Sequence, residues 1–152
     1  MEQPPNIYAY QALNAATREI RVLKLHPGRE ADKISGELLT TVFDSRSPYD
    51  ALSYQWGNPT VTKPIYLGPN EELQITSFLR EALTFIRKHD EVIIIWIDAI
   101  CISQKDVSER NHQVSMMKEI YSNARTVRVW LNQEIDSSSP CFAILAKLDK
   151  CS

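Results

Sequence analysis

The sequence has few glycines, no paired cysteine spacing and no long apolar run, and each of these absences argues against a class of protein. Only four glycines occur in 152 residues, and none belongs to a Gly-rich phosphate loop, which argues against a Rossmann or P-loop nucleotide site. The longest apolar run is far shorter than the roughly 20 residues that span a membrane. Three cysteines without paired spacing are typical of a reducing compartment rather than of a disulfide framework.

The charge balance argues against nucleic acid as a partner. Seventeen basic and nineteen acidic residues leave a net charge of −2, so no basic footprint for a phosphate backbone exists. The first residues, MEQPPN, have neither the basic nor the apolar region of a secretory signal. We therefore expect a soluble, cytoplasmic protein that contacts no membrane.

The spacing of apolar residues predicts one α/β domain over residues 1–152. An extended lead-in (1–19) and antiparallel N-terminal strands (20–48) precede an α/β core (49–150), whose sheet is expected to be mainly parallel and flanked by helices. A β-hairpin insertion is predicted in the core, because two short apolar runs flank Gly68-Pro69-Asn70. The other core elements are predicted as strands at 51–56, 92–97 and 126–131, and helices from 76 or 77 to about 89, from 108 to 124 and over about 140–150.

The stretch 92–131 is typical of a strand, crossover helix and strand. Residues 92–97 form an apolar, β-branched run, as in a strand that is covered on both faces. Right-handed crossovers favour parallel strands, and the three core strands are expected in the order 2-1-3 across the sheet. Ser108 is predicted to cap the crossover helix, and its inner stripe is predicted to be Val114, Met117, Ile120, Tyr121 and Ala124.

The C-terminal residues are predicted to form the last helix. Pro140 suits the first turn of a helix, where its missing N–H is not needed. Phe142, Leu145 and Leu148 follow at helical spacing and would form the inner stripe.

Polar residues gather after the strand at 92–97, at the carboxyl end of the predicted sheet, where parallel sheets bind their ligands. These residues are Asp98, Cys101, Gln104, Asp106, Glu109 and Arg110. Asp98 and Glu109 are the candidate catalytic residues, since a carboxylate at a strand end can bind ribose hydroxyls or act as a base. The alternative is structural: Asp98 would accept loop N–H bonds, and Glu109 would interact with the helix dipole.

Five further side chains are candidate ligand-binding residues of the same site: Tyr54, Trp56, Gln104, Arg110 and Gln113. Tyr54 and Trp56 end the first core strand and would either wall a nucleobase pocket or belong to the aromatic core. Arg110 would either clamp a phosphate beside the N–H groups of the helix or lie solvated in its first turn. Gln113, one turn further, would point into the same opening or lie on the helix flank.

The sequence argues against a cysteine hydrolase site and against a zinc site. Cys101, His112 and Asp98 are the residue types of a cysteine hydrolase, but no local signature accompanies them, and a lone cysteine between two isoleucines is more often a small core residue. The spacing of Cys101, His112 and Cys141 fits no zinc-ligand pattern. We therefore expect no bound metal and no resident cofactor.

Two long motifs make the chain recognisable. The segments YDALSYQWG (49–57) and WIDAICISQKDVSERNHQVSMMKEIYSNARTVRVWL (96–131) closely resemble the fungal heterokaryon incompatibility (HET) domain, and the resemblance covers about residues 8–148. Ser103 stands where that family usually has Asn. The resemblance implies a role in fungal non-self recognition that triggers programmed cell death.

The HET domain is also regarded as a remote relative of Toll/interleukin receptor (TIR) domains, which implies a TIR-like sheet. Some TIR domains cleave NAD with a glutamate on the helix after the third strand. The corresponding helix here is the one predicted over 140–150, and it contains no Glu. Two mechanisms therefore remain open: an NAD hydrolase that uses Asp98 and Glu109, with NAD as substrate, and a non-catalytic module that associates with itself or with other incompatibility proteins.

Overall fold

The computed structural model of the protein describes residues 6–43, 48–54, 59–131 and 141–146. Within these ranges, nine strands form one open sheet in the order β1-β6-β5-β3-β2-β7-β4-β8-β9, numbered along the chain. The strands are β1 (Asn6–Ile7), β2 (Glu19–Leu25), β3 (Ser35–Val42), β4 (Asp50–Tyr54), β5 (Thr62–Leu67), β6 (Glu71–Thr76), β7 (Ile93–Ile97), β8 (Thr126–Leu131) and β9 (Cys141–Ala146). The helices are α1 (Ser77–Ile86), α2 (Asp98–Cys101) and α3 (Val107–Asn123), and a single 3₁₀ turn lies at Ala15–Thr17.

Three parallel strands form the centre of the sheet. β4 lies between β7 and β8 and pairs with both of them in parallel, which confirms the predicted 2-1-3 order. The strand β7 consists of bulky apolar residues, and Ile95, Trp96 and Ile97 are all fully buried. Side chains on both faces of this strand are therefore covered, as its unbroken apolar run predicts.

The two long helices cover opposite faces of this centre. The chain crosses the sheet in one direction from β4 through α1 to β7, and in the other direction from β7 through α3 to β8, so right-handed crossovers place the helices on opposite faces. Ring contacts agree with this arrangement. Trp130 of β8 has its ring centroid 5.6 Å from that of Phe85 in α1, and Trp96 of β7 lies 5.5 Å from Tyr121 in α3. No helix in the described ranges has the length and apolar character needed to cross a membrane.

The expectation of a mainly parallel sheet is only partly met. Within the described ranges, β2 pairs antiparallel with β3 and with β7, and the hairpin strands β5 and β6 and the edge pair β8 and β9 are also antiparallel. The predicted antiparallel N-terminal strands and the hairpin insertion are confirmed. The sequence did not show how many strands run antiparallel to their neighbours, because an alternating apolar pattern identifies a strand but does not say which neighbour it pairs with.

The predicted C-terminal helix is wrong where the structure describes it. Residues 141–146 form β9, which pairs antiparallel with β8 from Thr126↔Ala146 to Leu131↔Cys141. A six-residue apolar run gives little periodicity by which to distinguish a strand from a helix. Pairing with β8 also provides the backbone hydrogen bonds that its outer edge would otherwise lack. Leu148, the last residue of the predicted stripe, lies outside the described residues.

The prediction for α1 is confirmed at its start and along its inner face. The Thr76 side chain accepts a hydrogen bond from the Leu79 N–H at 3.2 Å and caps the helix. Leu79, Leu83 and Ile86 are buried, as their spacing predicts. The helix ends at Ile86 rather than near residue 89, because Arg87 takes an extended conformation with ψ of 132°.

Two details of α3 differ from the prediction. Asp106, not Ser108, caps the helix, and its carboxylate accepts the Glu109 N–H at 3.1 Å. The buried residues of the helix are Gln113, Met116 and Ile120, whereas Val114 is 54% exposed. The predicted inner stripe is confirmed at Ile120 and Ala124, which are fully buried, and Met117 and Tyr121 pack against the core. The prediction is wrong for Val114, and it missed Gln113, which is buried through a hydrogen bond to the Glu19 carbonyl oxygen that helical spacing does not reveal.

Candidate functional site

The carboxyl ends of the central strands carry the cluster of polar residues that the sequence predicts. We call Asp98, Gln104, Glu109 and Arg110 the strand-end cluster. The Gln104 side-chain amide donates to the Asp98 carbonyl oxygen at 2.9 Å, and Arg110 donates to the Gln104 carbonyl oxygen at 3.3 Å. The structure therefore brings these residues together. Trp56 lies outside the described residues.

Glu109 is held in a buried ion pair with Arg21. Both of its carboxylate oxygens accept a hydrogen bond from the Arg21 guanidinium, each at 2.8 Å, and Oε2 also accepts the Ser103 N–H at 2.6 Å. The side chains of Arg21 and Glu109 are 2% and 7% exposed. Because the carboxylate is paired and hydrogen-bonded in this way, it has little capacity left to accept a proton from a substrate or to bind a substrate group.

Arg21 also ties the N-terminal lead-in to the end of the sheet. Its guanidinium donates to the carbonyl oxygens of Cys101 at 3.0 Å and Gln11 at 2.6 Å, and lies 4.8 Å from the ring centroid of Tyr10. The Tyr10 hydroxyl donates to the Ile100 carbonyl oxygen at 2.7 Å. Tyr10 and Gln11 thus hold the lead-in against the Arg21–Glu109 pair.

Sequence analysis missed Arg21, since its place in an alternating strand predicts an outward, solvated side chain. Ile20 and Val22 on either side of it are buried as well, so both faces of this part of β2 are covered, and an alternating sequence gives no signal of that. Its acid partner is 88 residues away along the chain, so no local pattern connects the two.

Asp98 lies near two tyrosines on neighbouring elements. Burial raises the pKa values of Tyr54 and Tyr121, and the negative charge of Asp98 raises them further. The Tyr121 hydroxyl donates to the Leu52 carbonyl oxygen at 3.3 Å. Asp98 also starts the one-turn helix α2, and its carbonyl oxygen accepts the Ile102 N–H at 3.2 Å. Asp98 and Tyr54 are therefore brought together, and both phenols keep their protons at neutral pH.

Cys101 is a core residue. It is fully buried, and its sulfur accepts the Ile97 N–H at 3.4 Å. Burial raises the pKa of the thiol to about 12, so the reactive thiolate is absent at neutral pH. In the described part of the chain, no hydrogen bond joins Cys101 to His112, and no group of three His, Cys, Asp or Glu side chains is placed to hold a metal ion.

Gln113 lies beside a small cavity under the lead-in. It is fully buried, and its amide nitrogen donates to the Glu19 carbonyl oxygen at 3.0 Å. Its Oε1 has no hydrogen-bond partner among the described residues. Gln113 lines a cavity of about 110 Å³ together with Glu109 and His112. Gln113 thus shares a cavity with Glu109, on the side of the ion pair that the lead-in covers.

Comparisons with known proteins bear on the motifs found in the sequence. A family model described as "Heterokaryon incompatibility protein (HET)" matches residues 49–151. Heterokaryon incompatibility protein 6, OR allele, of Neurospora crassa is 35% identical over 159 residues, which cover 94% of this chain. The chain spans 23% of that relative's length. No solved structure matches the chain.

Proposed function

The chain belongs to the heterokaryon incompatibility (HET) family, and from that premise we propose that it acts in fungal incompatibility as a non-catalytic effector module. It passes on a non-self signal by associating with itself or with other incompatibility proteins, and the response is programmed cell death. The Neurospora crassa relative is about four times as long as this chain. The activity and partners of such a whole protein therefore belong to the proposal.

The observation that carries the non-catalytic mechanism is the buried Arg21–Glu109 pair. Of the two candidate catalytic carboxylates, Glu109 is used in folding, because it is held by three hydrogen bonds and is 7% exposed. Releasing it from Arg21 would leave an uncompensated charge in the interior, which costs about 3–5 kcal/mol. A catalytic cycle that needs this carboxylate free would have to overcome that cost in each turnover.

The TIR-like part of the proposal is limited to the centre of the sheet. The 2-1-3 order of three parallel strands, with α1 and α3 on opposite faces, supports a TIR-like core. The antiparallel strand β9 stands where such a core would continue with a helix and a fourth parallel strand. In the described part of the chain after β8, a strand stands in place of the glutamate-bearing helix on which some TIR domains depend, so that helix gives the proposal no support.

NAD hydrolysis is the second candidate mechanism, and a specific observation favours it. The Asp98 charge acts on both Tyr54 and Tyr121 at the carboxyl end of the parallel strands, where doubly wound sheets bind nucleotides. Asp98 would accept the ribose hydroxyls of NAD, and Tyr54 would contact the ring. In this mechanism Glu109 positions the loop through the Ser103 N–H and takes no part in the chemistry.

One experiment separates the two mechanisms. The chain is expressed in fungal hyphae and scored for the incompatibility reaction, while the purified chain is incubated with NAD and nicotinamide release is followed. The variants are Asp98→Asn and the matched control Asp90→Asn, which removes an exposed acid on the loop after α1. We expect a reaction in all three forms and no nicotinamide release. Hydrolysis would be favoured instead if the wild type and Asp90→Asn released nicotinamide and gave the incompatibility reaction, and Asp98→Asn did neither.

A further inference from the structure

A second polar region, which sequence analysis did not single out, lies along the solvent-facing side of α1. Here a groove of about 790 Å³ runs beside the helix, within the range of small-molecule sites. We call it the α1 groove, and the residues that matter for its chemistry are Lys63, Arg80, Phe85, Arg87, His89 and Trp130. It lies against α1, on the face of the sheet opposite to α3, and contains no residue of the strand-end cluster.

Arg87 places a buried positive charge in the wall of the groove. Its side chain is held by the loop at 29–33: it donates to the carbonyl oxygens of Lys33 at 2.8 Å and Asp32 at 3.1 Å, and also to that of Arg29. Arg87 is 7% exposed, yet among the described residues no carboxylate pairs with it and its Nε–H has no acceptor. Burial lowers the pKa of its guanidinium, although the charge of Asp32 opposes that change.

The loop carbonyls and the C-terminal end of α1 stabilise the buried charge of Arg87, but they do not neutralise it. Carbonyl dipoles and the negative end of a helix stabilise a cation partially, whereas a full compensating charge requires an anion. Gly28 leaves space beside the guanidinium, since a Cβ at that position would lie 3.1 Å from Nη1. The wall of the groove is therefore electropositive at this point.

Two further cations line the groove, and neither has an ion-pair partner in the described part of the chain. These cations are Lys63 and Arg80, which line the same groove as Arg87. Glu30 and Glu81 are the acids of the groove, so cations outnumber acids three to two before His89 is counted. Arginine and lysine that face a cavity without carboxylate partners are suited to bind phosphate.

An exposed aromatic ring lies beside these cations. Phe85 is 61% exposed, so its ring is accessible from the solvent. Its ring is supported from below by Trp130, whose centroid is 5.6 Å away. A flat ring placed against Phe85 would bury apolar surface and gain the aromatic contact energy of about 0.5–1.5 kcal/mol.

We propose that the α1 groove binds a phosphate-bearing ligand with a flat ring, the chemical class of nucleotides. The phosphate interacts with Arg80 and Lys63 and compensates the charge of Arg87, and the ring packs on Phe85. This inference does not depend on the proposed function, because the groove uses none of the residues on which either mechanism rests. Occupancy of the groove needs no bond to be made or broken.

The test uses ADP as the probe, with pyrophosphate and adenosine as its two halves, in calorimetric titrations of the purified chain. We expect ADP to bind more tightly than either half. Arg80→Gln removes one charged contact and should weaken ADP and pyrophosphate about tenfold. Phe85→Leu should weaken ADP while leaving pyrophosphate unchanged. Lys118→Gln is the matched control, since it removes one exposed charge from α3, on the other face.

Three results would overturn the inference. One is the absence of any heat of binding up to roughly 10 mM ADP, where even a millimolar site is mostly filled. Another is ADP binding that Arg80→Gln and Lys118→Gln weaken equally, which would indicate a general charge effect. The third is equal affinity for ADP and pyrophosphate, which would remove the ring from the proposal. Nicotinamide release has no bearing on any of these outcomes, so the two proposals fail separately.

Discussion

The two polar regions of this protein use their charges in opposite ways. At the carboxyl ends of the strands, Glu109 and Arg21 form a bidentate pair in which both side chains are less than 10% exposed. In the α1 groove, Lys63 and Arg80 have no ion-pair partner among the described residues, and Arg87 is buried with backbone carbonyls alone. The first region resembles a protein interior, and the second resembles a binding surface.

This difference separates a structural role from a binding role. A buried ion pair contributes little when intact, but the loss of one partner is costly because the other remains charged in the interior. A charged side chain on a groove wall is solvated in the free protein, so its removal changes folding little while it changes the affinity for an anion. Residue type alone suggested the strand-end cluster as the active region, and pairing points to the α1 groove as the better ligand site.

The largest effect is expected from breaking the buried pair. Arg21→Met leaves the Glu109 carboxylate without its partner, and we expect the free energy of unfolding to fall by about 3–5 kcal/mol. Urea denaturation followed by circular dichroism measures the change. The double variant Arg21→Met/Glu109→Leu is the control, because it removes both charges and should lose clearly less stability than Arg21→Met alone. Equal losses in the two variants would contradict the role of the ion pair.

A smaller effect is expected from pH, because Cys101 is closed off beneath the same region. Burial raises the pKa of this thiol from 9.0 to about 12, so between these values the unfolded chain loses a proton that the folded chain keeps. The contribution is complete below pH 9 and declines as pH rises towards 12. At pH 10 the wild type should have lost about 1.4 kcal/mol more than Cys101→Ala, relative to pH 8. Urea denaturation at both pH values measures this difference.

The comparison with Cys101→Ala is needed because other groups titrate in the same range. Burial also raises the pKa values of Tyr49, Tyr54 and Tyr121, and these phenols destabilise the wild type and the variant alike at high pH. Parallel losses in the two proteins would show that the thiol is not closed off as the structure describes.

The smallest effect on folding is expected in the α1 groove. Arg80→Gln removes a cation that has no ion pair and whose charge opposes that of Arg87. We expect the free energy of unfolding to stay within about 0.5 kcal/mol of the wild type, with any change in the stabilising direction. The measurement is the same urea denaturation, in low salt. A loss as large as that of Arg21→Met would remove the distinction between the two regions.

Local patterns in the sequence were sufficient to predict most strands and the inner face of α1. The β-branched run at 92–97 became β7, and the apolar runs on either side of Gly68-Pro69-Asn70 became the hairpin. These elements were predictable because their apolar period reflects a single buried face or two covered ones. The resemblance to the HET domain rested on the same stretches and is confirmed by the family match.

The candidate site was predictable in its place but not in its state. Glu109 and Asp98 do lie at the carboxyl ends of the parallel strands, and Gln104 and Arg110 are hydrogen-bonded there. The pairing of Glu109 with Arg21 could not be predicted, because β2 reaches that end of the sheet only by pairing antiparallel with β7. The strand β9 was missed for a related reason, since a short apolar run takes the structure of the edge that it meets.

The sequence by itself thus determined the family, the position of most strands and the presence of polar residues at their ends, because these depend on side-chain type and short-range period. Only the tertiary structure decided which charges are paired. Arg21 and Glu109 are brought together by sheet order across 88 residues, and Lys63, Arg80 and Arg87 line one groove because a hairpin and a helix meet there. Electrostatic energy depends on distance and burial in the folded protein, and neither quantity can be obtained from residue order.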